Sequence, residues 1–171
     1  MHATQDSPGP RHAPLLSELA IDGALSQVFP TVHYDHGALT ELHNSSWTDM
    51  FGDPIEHMYI LDNPGGLREE WYEHRIVTDR YVLLAGSLTV ALFDARQDSA
   101  SFGTQLTLQL HGVGNGGTSG LVIPPFVWHS FRVDSERVLL LNAKTPGYDH
   151  VNPDKFRMPM PNDLTPFVWP E

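Results

Sequence analysis

Two stretches of the chain concentrate side chains able to move protons or hold a metal. In the first, Glu70, Tyr72, Glu73, His74 and Asp79 lie close together, interleaved with Trp71, Arg75 and Arg80. In the second, His129 follows the rigid pair Pro124-Pro125 and comes directly after Trp128. A His near a carboxylate is the usual way to hold an imidazole in one tautomer for proton transfer. Tyr72, His74 and His129 therefore form a candidate proton-handling set, with Glu70 and Asp79 as orienting carboxylates. Tyr72, with an ordinary pKa of about 10, is a poor base at neutral pH unless cations such as Arg75 or Arg80 lower it. The alternative role for Tyr72 is an aromatic filler of the interior. His74, Asp79 and His129 also make a two-His, one-carboxylate set suited to Fe(II), Mn(II) or Zn(II). The first expectation is no cofactor, with one of these metals as the alternative.

The elements that must position these groups read as strands. Residues 105–110 alternate apolar and polar, as a half-buried strand requires. Strand signals recur over residues 28–34, 38–42, 56–61, 69–74, 81–84, 87–94, 121–123, 131–133 and 138–141, separated by Gly, Pro and Asp turns. If residues 69–74 form a regular strand, Tyr72 and His74 share one face. Leu15, Leu16 and Leu19 recur at helical spacing, so residues 14–25 are expected to hold a short helical turn. Residues 1–20 are expected to form a flexible arm, with one domain over residues 21–171. The tail from Tyr148 onward holds five prolines and is expected to run extended around the outside, pinned by Phe167 and Trp169. Gly112, Gly114 and Gly117 fit a dinucleotide fingerprint on paper, but a strand follows them rather than a helix. They are read as a flexible loop, with a lid over the barrel mouth as its candidate role.

Composition narrows the classes. A net charge of −11 leaves no excess of Lys and Arg to displace phosphate counterions, which argues against a nucleic-acid binder. An anionic small molecule would need only a few local cations, such as Arg68, Arg75 or Arg80. The absence of cysteine excludes disulfides and thiolate metal sites. No apolar run approaches the roughly 20 residues of a membrane span, and residues 1–14 lack a secretory pattern. A cytoplasmic location without membrane contact is the expectation.

The two stretches resemble the paired half-motifs of a cupin. Tyr72, His74, Asp79 and Gly86 take the places of the first, and Pro124, Phe126 and His129 those of the second. From about residue 21 to 169 the chain is similar to the dTDP-4-dehydrorhamnose 3,5-epimerase family. The match is carried by residues 37–41, 64–74, Thr78-Asp79, Ala85-Gly86, residues 93–96 and 99–103, and residues 123–131. It continues through residues 139–142, Tyr148 and residues 152–154. The resemblance implies an all-β cupin jelly-roll barrel, with a short N-terminal arm and an extended Pro-rich C-terminal tail, pairing as a homodimer. It further implies an isomerase, epimerase or cyclase acting on a carbonyl-bearing small molecule, such as a nucleotide-linked keto sugar or a natural-product intermediate. This chain departs from the family where it matters most. Tyr72 stands at the base's His position, Leu140 or Leu141 at the catalytic Tyr position, His36 at a phosphate-binding Arg and Asp79 at a Lys. Ordinary 3,5-epimerisation is not expected. Arg68, Trp71, Arg80, Trp128, Asn142 and Tyr148 are the candidate substrate contacts, with either tryptophan equally suited to core packing. The competing readings are a metal-dependent oxygenase or hydrolase using His74, Asp79 and His129, and a non-catalytic small-molecule-binding barrel.

Overall fold

The computed structural model describes residues 14–114 and 117–170. Among them there are thirteen strands and no helix. Six strands form one sheet in the order β1 (Leu15–Glu18), β2 (Leu25–Phe29), β10 (Thr118–Ile123), β7 (Thr78–Ala85), β12 (Arg137–Thr145), β5 (His57–Pro64). Five form a second, in the order β13 (Phe156–Met158), β6 (Trp71–Glu73), β11 (Val127–Val133), β8 (Ser87–Asp94), β9 (Gln105–His111). Strands β3 (Thr31–Tyr34) and β4 (Gly37–Thr40) make a separate hairpin. The result is the cupin jelly roll. With no helix among the described residues, none is long and apolar enough to cross a membrane.

Leu83, Leu121 and Leu140 from the first sheet meet Leu88, Val90, Leu92 and Phe131 from the second, all buried in one cluster. Burial of each such side chain is worth about 1.5–3 kcal/mol. Gly86 turns β7 into β8 at φ +83°, and a Cβ there would sit 2.3 Å from the Arg137 carbonyl oxygen, so the half-motif's glycine is a steric requirement.

Two expectations need correction. Residues 14–25 hold no helical turn; Leu15–Glu18 pair antiparallel with β2, because the sheet edge supplies backbone partners that one isolated turn lacks. Pro30 splits the expected strand over residues 28–34 into β2 and β3. Of the expected arm, residues 1–13 lie outside the described residues, as do Asn115 and Gly116 of the glycine-rich loop. The described part of that loop packs on Ala85, Val28 and Phe29, and none of it lines the cavity described below.

The tail adds β13 to the edge of the second sheet, beside β6. Phe167 and Trp169 pack with the fully buried Trp71, and the Trp169 indole donates to Ser130 Oγ at 3.0 Å.

Candidate active site

Strand alternation sorts the first stretch. Trp71 and Tyr72 point to opposite faces of β6: Trp71 into the cluster under the tail, Tyr72 into the barrel. Trp128 and His129 divide in the same way on β11, and His129 lies directly opposite Tyr72 with ring centroids 4.1 Å apart. On β7, Asp79 and Tyr81 face inward. Arg80 faces out, where it donates to the Met50 carbonyl at 2.8 Å and to Asp53 Oδ2 at 2.9 Å.

Asp79 is the hub, with its side chain buried. Lys144 lies opposite it in the β7–β12 register and brings Nζ to 2.9 Å from Oδ1. Asn142 Nδ2 donates to the same Oδ1 at 2.9 Å and lies the same distance from the Tyr59 hydroxyl. On the other oxygen, His129 Nε2 is at 3.1 Å and His74 Nε2 at 3.4 Å. Both contacts to Oδ2 are close enough for ion pairing but poorly aligned for hydrogen bonding. Asp79 Oδ2 and His129 Nε2 have no hydrogen-bond partner among the described residues. Burial by itself would raise the Asp79 pKa, but the His129, Lys144 and His74 contacts more than reverse it and hold the carboxyl far below the usual carboxylate range. For Lys144, burial works against the charge and Asp79 prevails, so its pKa is raised.

The turn residues fix the imidazoles. His74 Nδ1 contacts the Asp154 carbonyl oxygen, while its Nε2 accepts from Lys144 Nζ at 3.2 Å. That pair of partners selects the neutral Nδ1–H tautomer, and burial accordingly lowers the His74 pKa. The Asp154 carboxylate in turn accepts backbone N–H groups of Arg75, Ile76 and Val77 at 2.8–3.0 Å. His129 Nδ1 donates to the Val127 carbonyl at 2.9 Å. Linking the two histidine stretches, Phe126 adopts φ 63°, a left-handed conformation that favours glycine, and donates its N–H to the His74 carbonyl at 2.7 Å. That strain, about 1–2 kcal/mol, goes into joining the two stretches.

A cavity of about 330 Å³ opens above this cluster. Its wall carries His74, Lys144, Tyr72, Tyr81 and Tyr59, with Leu61 and Phe131 as the apolar side and Asn63, Glu69, Lys155, His57, Tyr148 and His150 completing the lining. The Tyr72 and Tyr81 hydroxyls are 2.7 Å apart, and burial, with Asp79 adding for both, pushes both phenols well above their ordinary pKa. Tyr72 is thus held protonated, a donor rather than a base; Arg75 and Arg80 pair elsewhere and do not lower it.

Of the expected site residues, the structure gathers Tyr72, His74, Asp79, His129 and Asn142 into one cluster and places Tyr148 on the cavity wall. Asn142 orients Asp79 and Tyr59 rather than lining the cavity. Glu70 is exposed, and its neighbour Glu69 takes the cavity side. Arg68 reaches the Pro170 carbonyl on the outside. Neither Leu140, in the core, nor Leu141, on the outer face of the first sheet, lines the cavity. Sequence reasoning missed Lys144, Lys155, Tyr59, Tyr81, His57 and Asp154. One signal was available, since Lys144 and Lys155 are the chain's only lysines.

His74 Nε2, Asp79 Oδ2 and His129 Nε2 lie within 4.8 Å of one another, a spacing that suits a Zn- or Fe-type ion. Both imidazoles use Nδ1 on backbone carbonyls, as metal-bound histidines do. The Lys144 ammonium, however, already sits on His74 Nε2 and Asp79 Oδ1. The donors fit a metal only if that cation withdraws.

Barrel, half-motifs and interior polar cluster define a cupin with a site in its mouth, and comparisons with known proteins refine the class. No family model matches the chain. A curated protein of Haloferax volcanii, the probable low-salt glycan biosynthesis epimerase Agl13, is 33% identical over 135 residues, covering 78% of this chain and 84% of the relative. Three solved structures share the fold. A dTDP sugar isomerase from Desulfovibrio desulfuricans aligns with TM-score 0.75 at 21% identity, over 91% of this chain and 94% of its own. The dTDP-4-dehydrorhamnose 3,5-epimerase of Bacillus anthracis gives 0.77 at 15%, over 92% and 91%. NovW, a 4-keto-6-deoxy sugar epimerase from Streptomyces spheroides, gives 0.76 at 14%, over 98% and 84%. The chain belongs to the same family as the Agl13 epimerase and has the cupin fold of the dTDP-4-dehydrorhamnose 3,5-epimerases, and its function is of the isomerase or epimerase type.

Proposed function

We propose that the protein is a metal-independent isomerase that moves a proton beside the carbonyl of an anionic small molecule, of the nucleotide-linked keto-sugar kind. The observation that carries this reading is the Lys144 ammonium, buried at the cavity wall and anchored 2.9 Å from Asp79. Removing a proton beside a carbonyl places negative charge on its oxygen, and a fixed cation in a water-poor site stabilises that enolate. The Tyr72–Tyr81 hydroxyl pair supplies protonated donors on the same wall. Asp79, Asn142 and His129 hold the assembly from behind. In a chain of net charge −11, a cavity lined by Lys144, Lys155, His57 and His150 against the single carboxylate of Glu69 favours an anionic ligand. The departures from the family pattern at Tyr72 and Asp79 support a reaction other than 3,5-epimerisation.

The test is deuterium wash-in from heavy water on a panel of dTDP-linked 4-keto-6-deoxy sugars, with chelator-treated protein. Exchange at a carbon next to the carbonyl, lost in Lys144→Met, is the expected result. Exchange that appears only after metal is restored would point to the second reading, a metal-dependent cupin. The orphaned Asp79 Oδ2 and His129 Nε2 favour that reading. A homodimer is also part of the proposal. Met58 and Ile60 expose apolar surface on edge strand β5, and Val32 and Leu39 do so on the β3–β4 hairpin. Sedimentation of the full chain checks it.

A further inference from the structure

The chain's only two lysines line the same cavity, while among the described residues no arginine lines it. Lysine is ordinarily spread over open surface for solubility, so its confinement here calls for a chemical reason. The two amines are held in different ways. Lys144 is locked by Asp79 and His74. Lys155 enters from the tail just ahead of β13, with Nζ 4.0 Å from the centre of the Tyr72 ring. It forms no side-chain hydrogen bond or ion pair with any described residue.

The isomerisation proposed above needs a base, and most of the other cavity groups are engaged; His150 is exposed at the rim, packed edge-on against the Tyr148 ring. The Tyr72 and Tyr81 hydroxyls pair with each other. Both His74 nitrogens are occupied. Glu69 leans to Arg157 at 3.6 Å. His57 packs between the Tyr59 and Tyr148 rings, with its unpartnered Nδ1 buried away from solvent. We propose that Lys155 is the base of this reaction, with Lys144 as the fixed cation opposite it; the assignment rests on the isomerase reading. The Lys155 lone pair takes the proton from the carbon beside the carbonyl. The C–H electron pair becomes the C–C π bond, and the carbonyl π pair moves to oxygen, where Lys144 meets it. Return of a proton to that carbon restores the carbonyl, so no oxidant or reductant is consumed.

The surroundings agree with an amine that can give up its proton. Burial, Arg157 and Lys144 lower the Lys155 pKa, against the opposing pull of Glu69 and Asp79. The Tyr72 face, which favours the ammonium, opposes this shift, and His74, His57, Tyr148 and His150 complete the surroundings.

Two experiments test the assignment. The first is trace acetylation of the intact protein with acetic anhydride across pH, with the two lysine peptides read separately by mass spectrometry. Lys155 is expected to acetylate with a midpoint below the ordinary lysine value of about 10.4, and far faster than Lys144. An ordinary or higher midpoint overturns the proposal. The second is deuterium exchange into a dTDP-linked 4-keto-6-deoxy sugar. Lys155→Arg keeps the charge but cannot accept a proton at working pH. It is expected to lose about 100-fold or more of the exchange rate, as Lys155→Met does, while in the charge-preserving Lys155→Arg dTDP binding by calorimetry and thermal unfolding stay close to wild type. Exchange retained in Lys155→Arg, or lost instead in His57→Gln, overturns Lys155 as base and leaves the isomerase reading standing. A wild-type protein that exchanges nothing with any keto sugar overturns both.

Discussion

Lys144 Nζ and Asp79 Oδ1 lie 2.9 Å apart across the β7–β12 pairing, with both side chains buried. A buried pair of this kind is stable as a pair and costly to break, because one partner left alone is an uncompensated charge in a poorly solvated place. Lys144→Met is therefore expected to cost about 3–5 kcal/mol. The double variant Lys144→Met/Asp79→Asn should cost clearly less than the sum of the two singles. Urea unfolding of the four proteins measures the coupling, and strict additivity would mean that the contact contributes nothing.

The same substitution has a second consequence. Without the ammonium, His74 Nε2, Asp79 Oδ2 and His129 Nε2 are left as three donors within 4.8 Å of one another. Lys144→Met is expected to bind Zn(II) at least about tenfold more tightly than wild type, a gain of at least about 1.4 kcal/mol. Titration calorimetry of both proteins checks this. Equal affinities would show that the lysine does not guard the position.

The tyrosine pair makes a separate prediction. Tyr72→Phe removes one partner of the 2.7 Å hydroxyl contact and leaves the Tyr81 hydroxyl buried and short of a bond. A loss of about 1–3 kcal/mol is expected, with the double Tyr72→Phe/Tyr81→Phe variant little worse than either single one. Exchange activity should fall in Tyr72→Phe if that hydroxyl donates in the reaction. An unchanged rate removes it from the mechanism.

Stability should fall at both ends of the pH range, for different reasons. The His74 pKa is lowered in the folded state, so below about pH 6.5 the unfolded chain binds the proton more readily and stability declines as pH falls. The depressed Asp79 adds a further decline below the ordinary carboxylate pKa, as the unfolded chain takes up that proton. At the alkaline end Tyr72, Tyr81 and Lys144 all have raised pKa values, so the folded state holds protons that the unfolded state releases. Stability then drops above about pH 10. Unfolding free energies in buffers from about pH 2 to 11 measure both limbs. Tyr72→Phe should flatten the alkaline limb, and an unaltered slope would contradict the buried neutral phenol.

The sequence alone determined the strand architecture and half of the site. Gly and Pro punctuation with period-two patterning marks strands locally, and the two half-motifs carry Tyr72, His74, Asp79, Gly86 and His129 on their own residues. The same periodicity could have set Trp71, Arg80 and Trp128 on the opposite face, since each alternates with an inward neighbour. Tertiary structure decided the rest. Lys144 meets Asp79 only through the register of strands sixty-five positions apart in the chain, and register is a property of paired strands that no local pattern encodes. Lys155 and Asp154 reach the cluster only because the extended tail folds back onto β6, and Tyr72 became a donor only because the finished barrel buried it beside a carboxylate. Residue type and spacing say which groups are available. Which of them hold a charge, and which a proton, depends on burial and neighbours that exist only once the two sheets close.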